Sequence, residues 1–251
     1  MAQVQQIYKY LDEKYPFSLQ EGFDNSGFLI GSPHREVRRC AVALDVTASV
    51  LKEAAARDAQ LIITHHPVIF HPLKSLCAGS IAYECVRLGM AVLSSHTCLD
   101  KAPGGINDIL AGMLGLTDVT VAEDGLLRQG VLAEPESPEE FASRCRKMLS
   151  ADGVRAVLGD RPVKKVAICS GAGGSYVEDA LLDGCDALLT GEVKHHEAVF
   201  AQDNGLTVVD AGHFETETVV VPALIRELSE AFQEVSFFEP EANRPLFRWV
   251  R

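Results

Sequence analysis

CAVAL at 40–44, LIIT at 61–64 and AVLS at 91–94 are three short apolar runs in the 251-residue chain. Each run is long enough for a buried strand. A segment with helical spacing of apolar residues follows each run, at 47–56, 80–88 and 106–114. Strands that alternate with helices are typical of a parallel sheet, because the chain needs a crossover to return to the same edge. The stretch therefore predicts an α/β fold.

The alternation continues in the second half of the chain. The sequence predicts strands at 129–133, 154–158, 163–169, 187–190 and 206–209, a long helix at about 215–232 and a last strand at 235–238. The weakest pattern, at 115–128, is interpreted as a soft boundary. We therefore expect two lobes within a single unit of residues 1–251. The first is residues 1–120, with return of the C-terminal segment, and the second is residues 121–251.

The amino-acid composition of the chain disfavours some kinds of binding partner. The chain has 23 Lys and Arg against 35 Asp and Glu, a formal net charge of −12. This excess of acid disfavours a nucleic-acid partner, because phosphate backbones attract clustered cations. No apolar run approaches the roughly 20 residues that span a bilayer, so no membrane partner is expected. A leader sequence is not evident at the N-terminus, and the seven cysteines form no CxxC motif. We expect a cytoplasmic protein with reduced cysteines.

Six of the eight histidines follow apolar strands. They are His65-His66, His96, and His195-His196 with His213. In open parallel sheets the carboxyl ends of the strands face one crevice, and ligands bind there. These histidines are therefore candidates for a shared site.

Two carboxylates lie four residues after histidines in these segments. Asp100 follows His96, and Glu217 follows His213 at the predicted start of a helix, where the two side chains share one face. Each element also has an ordinary interpretation. The His-His pair can be a polar loop, Asp100 a turn former, and His213 with Glu217 a surface pair.

Taken together, the imidazoles of His65, His66 and His213 and the carboxylates of Asp100 and Glu217 suit a dinuclear site. Two divalent ions roughly 3.5–4 Å apart form the clamp of many hydrolytic enzymes. We predict that Glu217 bridges the ions, because a carboxylate has two oxygens whereas an imidazole presents a single lone-pair nitrogen. Zn, Fe, Mn and Co all suit this donor set.

Two other chemistries receive less support from the sequence. Ser–His–Asp catalysis is disfavoured because no GxSxG motif occurs. The GAGG sequence at 171–174 lies between a strand and a helix and is interpreted as a flexible turn. Anion binding at the helix N-terminus is the alternative for that turn.

The order of motifs resembles that of the GTP cyclohydrolase I type 2 homologue family, also described as dinuclear-metal-centre hexameric proteins. The matching motifs are DNSG at 24–27, ALDVT at 43–47, ITHHP at 63–67, HT with LD at 96–100, PGG with ND at 103–108, TGE with HH at 190–196, and DAGH through TE at 210–217. Each motif is weak alone, but the set in this order is specific and runs almost end to end. The chain is too short for the mid-chain insert domain of some members and resembles the compact form.

The resemblance assigns roles to particular residues. By motif, the family's metal ligands fall on the same five side chains: His65, His66, Asp100, His213 and Glu217. His96 is implied to be a group near the site. Since imidazole titrates near neutrality, His96 and His195 are the candidates for proton transfer in catalysis. Phe23 stands where the family often has Trp, and Cys98 where it usually has Asn.

The resemblance also implies an architecture and an activity. We expect two related α/β lobes with mixed or mostly parallel sheets, with the metal site in the cleft between them, assembled as a homohexamer. The aromatic C-terminal segment with Phe237, Phe238, Phe247 and Trp249 is in keeping with a surface that a partner covers. The family name implies a metal-dependent hydrolase that acts on a small-molecule nucleotide, converting GTP to dihydroneopterin triphosphate and formate. Another two-metal hydrolase, of phosphoesters or cyclic amides, and a non-catalytic metal-binding regulatory hexamer are the alternatives.

Overall fold

Strands and helices alternate along most of the chain. The computed structural model describes residues 2–248 and residue 250, so Trp249 lies outside the described residues. The strands of the described residues are β1 Ala2–Gln3, β2 Gly27–Ile30, β3 Glu36–Val37, β4 Arg39–Ala43, β5 Leu61–Thr64, β6 Ala91–Ser94, β7 Thr117–Val121, β8 Arg128–Glu136, β9 Arg155–Val157, β10 Val163–Cys169, β11 Ala187–Thr190, β12 Thr207–Asp210 and β13 Ser236–Phe238. Their α-helices are α1 Val4–Lys14, α2 Ala48–Ala56, α3 Ile81–Arg87, α4 Thr97–Lys101, α5 Ile106–Met113, α6 Pro138–Met148, α7 Val177–Leu182, α8 His195–Asp203, α9 His213–Glu217 and α10 Val220–Ala231.

The chain folds into two compact units. The first unit comprises the residues up to Pro103 together with Val220–Arg244. The second comprises Gly104–Val219 and the segment from Pro245 onward. Helix α10 and strand β13 therefore belong to the first unit although they come late in the chain.

The first unit is built on a five-stranded sheet in the order β13-β4-β5-β6-β2. Strands β13, β4, β5 and β6 run parallel, and β2 runs antiparallel to β6. In register, Ile63 at the centre of β5 lies beside Val42 on one side and Leu93 on the other. Every residue of β5 and β6 is buried, as expected for apolar strands that are covered on both faces.

The second unit contains a six-stranded sheet in the order β7-β8-β10-β11-β12-β9. Strands β10, β11 and β12 are parallel, whereas β8 and β9 flank them in antiparallel orientation. Leu189 in β11 lies between Ile168 and Val209. All residues of β11 and β12 are buried.

The two units share one arrangement of strands. Each has three parallel strands that are consecutive in the sheet, with an antiparallel strand beside the third: β4-β5-β6 with β2, and β10-β11-β12 with β9. In both units the three parallel strands also follow one another along the chain. The predicted α/β class, with two related lobes and mixed sheets, is confirmed.

Short-range features of the sequence determine the start of one helix and the buried face of another. The Thr47 hydroxyl accepts a hydrogen bond of 3.1 Å from the Val50 amide and caps α2. Helix α1 buries Val4, Ile7 and Leu11 on one face. Among the described residues, no helix combines the length and the apolar character needed to cross a membrane.

The predicted long helix at 215–232 is wrong, since α9 ends at Glu217 and α10 starts at Val220. Pro222 explains the interruption. In one continuous helix, its ring would clash with the carbonyl of Thr218 and it could not donate to that oxygen. In the first turn of a new helix, the missing N–H costs nothing.

Four of the described strands, β1, β2, β3 and β7, were not predicted from the sequence. Strand β7 lies within the segment interpreted as a boundary, and all its residues are exposed. Its mixed polar sequence on a sheet edge lacks the apolar signal on which strand prediction depends. Strand β2 is short and partly buried, and it pairs with β6, which lies more than 60 residues away.

Candidate functional site

In the first unit, three histidines lie at the carboxyl ends of two neighbouring parallel strands. His65 and His66 follow β5 directly, and His96 lies two residues beyond the end of β6. The two strand ends are tied together because the Ser95 amide donates to the Thr64 carbonyl at 2.9 Å. The Thr64 hydroxyl also donates to the carbonyl of His66 at 2.8 Å. The parallel sheet therefore brings the three histidines together.

The three imidazole rings contact one another. Their centroids are 4.9 Å apart for His65 and His66, 5.0 Å for His65 and His96, and 5.6 Å for His66 and His96. One potential ligand nitrogen from each ring lies within 4.8 Å of the others. Ligand atoms on one tetrahedral ion are about 3.4 Å apart, so the upper limit of 4.8 Å places the three nitrogens near the spacing of metal ligands.

Hydrogen bonds fix the tautomer of each ring. The Nδ1 atom lies 2.9 Å from the Ser95 carbonyl in His65, 3.0 Å from Asp45 Oδ1 in His66, and 2.8 Å from Asp24 Oδ1 in His96. Because a carbonyl and an ionised carboxylate can only accept, each Nδ1 donates and each Nε2 keeps its lone pair. Histidines that bind metals are commonly oriented in this way.

Asp100 reaches the same group of histidines from α4. Its Oδ2 lies 3.7 Å from Nε2 of His65, and both side chains are buried. An imidazole lone pair that faces a carboxylate oxygen is unfavourable unless a cation lies between them or the ring is protonated. The pair of His65 and Asp100 therefore offers a place for a cation.

The second unit repeats this arrangement at the end of β12. Gly212, with a φ of 95°, leads into α9, which carries His213 and Glu217 one turn apart. His213 Nδ1 lies 2.9 Å from Glu192 Oε1, and its Nε2 lies 3.1 Å from Oε1 of the buried Glu217. As in the first unit, an acceptor at Nδ1 fixes the tautomer of the histidine, and Nε2 of His213 faces the buried carboxylate of Glu217.

Each of these two histidine–carboxylate pairs has a spacing that fits a divalent metal ion. The N···O separations of 3.7 Å and 3.1 Å lie on either side of the roughly 3.4 Å between two ligands of one tetrahedral ion. Imidazole and carboxylate together suit Zn, Fe, Mn and Co. Each unit thus contains one histidine–carboxylate pair that is suitable for a metal, and the first unit also contains His66 and His96.

Gly171, after β10, approaches the second pair closely. Its φ is +59°, and a Cβ atom at this position would lie 2.2 Å from Glu217 Oε1 and 3.3 Å from His213 Nε2. Only a glycine leaves room for the carboxylate here. The GAGG turn is therefore needed for this close approach, in addition to any flexibility that it has.

Substitution Gly171→Ala is expected to lower both the melting temperature and the metal content. The positive φ costs about 1–2 kcal/mol for a residue with a Cβ atom, and the methyl group also displaces Glu217. Gly184→Ala is the matched control, because Gly184 has a φ of +71° and no atom lies within 4 Å of the place that its methyl group would occupy. Calorimetry and elemental analysis of both variants test this. Equal metal content in the two variants would contradict the close approach.

Three carboxylates that orient histidines were missed by the sequence reasoning as functional residues. They are Asp24, Asp45 and Glu192. Asp45 lies two residues beyond β4, and Glu192 two residues beyond β11. The strand-end rule that selected the histidines could have found these two. Asp24 follows no parallel strand, and the sequence placed it only within a motif of the resemblance.

Asp24 is the most constrained of these carboxylates. Its side chain is buried and accepts from His96 Nδ1, from the Thr97 hydroxyl at 2.6 Å and from the amide of Asn25 at 2.6 Å. Burial alone would raise the pKa of Asp24, but these hydrogen bonds outweigh it and hold the pKa well below its ordinary value. Asp24 is therefore an ionised acceptor that fixes His96.

His195, the second predicted catalytic histidine, is exposed at the first position of α8. It lines a shallow cavity of about 240 Å³ together with Arg155 and Asp210. His213 lines a larger cavity of about 580 Å³ in the same unit, and Arg155 and Asp210 contribute to that one too. A volume of this size is typical of small-molecule sites. The catalytic role of His195 stays a prediction.

Cys98, which stands where the resembling family usually has Asn, is buried beside the histidines of the first unit. Its thiol lies 3.2 Å from the Ser95 hydroxyl. Burial raises the pKa of the Cys98 thiol, so it stays protonated at neutral pH.

Comparisons with known proteins agree over almost the whole chain. The family model Duf34/NIF3 (NGG1p interacting factor 3) matches residues 2–244. A Helicobacter pylori protein named GTP cyclohydrolase 1 type 2 is 33% identical over 225 residues, which cover 86% of this chain and 88% of the relative. A Clostridium perfringens protein named GTP cyclohydrolase 1 type 2 homolog is 28% identical over 258 residues, with 97% and 98% covered. The crystal structure of a Staphylococcus aureus protein matches with a TM-score of 0.91 at 26% identity, covering 99% of both chains.

Proposed function

Because the chain belongs to the Duf34/NIF3 family, we propose that it is a metal-dependent hydrolase that binds two divalent ions per chain. The proposed ligands are His65, His66, Asp100, His213 and Glu217. The observation that supports this most directly is the histidine–carboxylate pair in each unit, in which the lone pair of Nε2 faces a buried carboxylate oxygen. Each such pair requires either a bound cation or a proton on the ring, and the presence of two of them in one chain supports metal binding.

The proposed reaction is the hydrolysis of GTP to dihydroneopterin triphosphate and formate. Relatives that carry the name GTP cyclohydrolase 1 type 2 support this substrate. The purine C8 atom leaves as formate. Divalent ions, when bound, polarise the attacked group and lower the pKa of water.

His96 is the proposed proton-transfer group. His96 Nδ1 donates a hydrogen bond to Asp24, so Nε2 is the ring atom that takes or gives a proton. The ring is in contact with His65 and His66, so His96 lies beside the proposed ligands. Asp24 also holds the ring in one orientation.

Formate release from GTP by metal-loaded protein tests the activity. We expect turnover with added divalent metal and none after treatment with EDTA. His96→Asn is expected to lower turnover by about 10²–10⁴-fold while the metal content stays unchanged. The exposed His34→Asn is the control, and His195→Asn in the same assay tests the second predicted catalytic histidine.

Two results would contradict this proposal. Metal-loaded protein that releases no formate from GTP would rule out the cyclohydrolase activity. A His96→Asn variant that loses metal together with activity would make His96 a ligand and not the proton-transfer group.

A further inference from the structure

Two large aromatic side chains are exposed beside the histidines of the first unit. Phe23 is 64% exposed and Phe70 is 37% exposed. Their ring centroids are 6.3 Å apart, with the ring planes inclined by 43°. Contiguous exposed aromatic surface on a folded protein commonly marks a binding site.

The backbone around this aromatic pair is fixed by hydrogen bonds. The side-chain amide of Asn25 donates to the carbonyl of Ile69 at 2.5 Å, which ties the segment after Phe23 to the segment before Phe70. Asp24, between Phe23 and Asn25, is held by His96 and Thr97. The backbone next to both rings is therefore anchored by Asn25 and Asp24, and Asp24 also orients His96.

The aromatic pair is continuous with the histidine cluster. The ring of Phe70 lies 6.1 Å from that of His96, at an inclination of 78°, and His96 contacts His65. The contacts of Phe70 with Phe23, His71 and His96 are all tilted or edge-to-face. None of these three contacts covers a ring face by parallel stacking.

We propose that Phe23 and Phe70 form an aromatic subsite that stacks against the planar ring of a purine nucleotide. This inference rests on the proposed function, and it names the group on the substrate that the first unit recognises. In a cyclohydrolase the atom that is attacked belongs to the purine ring, so this ring must lie next to the metal-binding histidines. Two exposed aromatic side chains lie next to them, and aromatic faces bind nucleobases by stacking.

Equilibrium binding separates recognition of the base from hydrolysis. The probe is 7-deaza-GTP, whose five-membered ring lacks N7 and cannot be opened at C8, and inorganic tripolyphosphate is the probe without a base. We expect the double variant Phe23→Leu with Phe70→Leu to bind 7-deaza-GTP about 5- to 100-fold more weakly than the wild type, by titration calorimetry on metal-loaded protein. Tripolyphosphate should bind both proteins equally. Leucine keeps the apolar bulk and removes only the aromatic face.

Leu182→Ala is the matched control, because Leu182 is 83% exposed and lies at the end of α7 in the second unit. It should bind 7-deaza-GTP like the wild type. Metal content and light-scattering mass of each variant accompany the titrations. Unchanged values in the double variant would assign its weaker binding to the lost aromatic faces.

Three outcomes would overturn the subsite: equal affinity of wild type and double variant for 7-deaza-GTP, no binding by the wild type, or a lower mass of the double variant, which would make the pair a subunit contact. The proposed hydrolysis can fail separately. Wild-type protein that binds 7-deaza-GTP through the aromatic pair and releases no formate from GTP would support the subsite and rule out the cyclohydrolase activity.

Discussion

Substitution of Glu217 by Gln is expected to reduce the metal content from two ions per chain to one or none. The variant keeps the shape of the side chain but removes the charge that a divalent ion needs at Oε1 and Oε2. Changes to groups that merely orient metal ligands commonly weaken metal binding 10- to 100-fold. Loss of the ligand itself should therefore weaken it at least 100-fold.

The fold of the metal-free Glu217→Gln variant should remain intact. In the wild type, the lone pair of His213 Nε2 faces Oε1 of Glu217 at 3.1 Å. The side-chain amide that the substitution introduces can donate a hydrogen bond to this lone pair. We therefore expect the melting temperature of the metal-free protein to stay the same or to rise. Elemental analysis after purification with excess metal, together with calorimetry, distinguishes a lost ligand from a damaged fold.

A graded set of variants makes this test specific. Glu215→Gln removes a carboxylate from the same helix, α9, and should retain two ions. Glu192→Gln removes the ionised acceptor from His213 Nδ1 and should weaken metal binding by about 10- to 100-fold without abolishing it. Full occupancy of both ions in Glu217→Gln would exclude this residue as a ligand.

Removal of metal with EDTA is expected to lower the melting temperature strongly at pH 8 and much less at pH 5.5. A ligand present at 100 to 1,000 times its Kd stabilises the folded state by about 2.7–4.1 kcal/mol. For a chain of this size, that corresponds to roughly 5–15 °C. Scanning calorimetry with and without EDTA at the two pH values measures the difference.

The effect of EDTA on the melting temperature is larger at pH 8 because protons and metal compete for the same nitrogens. Metal binds neutral imidazole, whereas histidine in the unfolded chain has an ordinary pKa of about 6.5. As the pH falls through this range, protons compete with metal for His65, His66 and His213, and the effective metal affinity of the protein falls. The stabilisation is fully present well above this pKa and is lost as the pH falls through it.

Protonation of the two proposed carboxylate ligands, Asp100 and Glu217, reduces the stabilisation by metal further only below about pH 5. An EDTA effect of equal size at pH 8 and pH 5.5 would mean either that other groups hold the metal or that the metal is bound too tightly for protons to compete. Metal content measured at both pH values separates these cases. Retained metal at pH 5.5 in a His213→Ala variant would exclude His213.

Much of the fold was predictable because its signals are local. Strands β5 and β6 and helix α1 follow from apolar runs and helical spacing that a short window of sequence contains. Strand β7 has no such signal, since it is exposed along its length and exists through its pairing with β8. The helical spacing alone does not show the break between α9, which ends at Glu217, and α10, which starts at Val220.

The same distinction between local signals and long-range contacts applies to the candidate site. The sequence by itself determined which residues stand at strand ends, and thereby selected His65, His66, Asp100, His213 and Glu217, because chain order and periodicity fix where a parallel strand ends. Only the tertiary structure decided which ring nitrogen donates and which is left for a metal. The bond from His96 to Asp24 joins residues 72 positions apart, and the contact of Phe23 with Phe70 joins two loops. Such contacts depend on how the folded chain brings distant segments together, so no local pattern in the sequence encodes them.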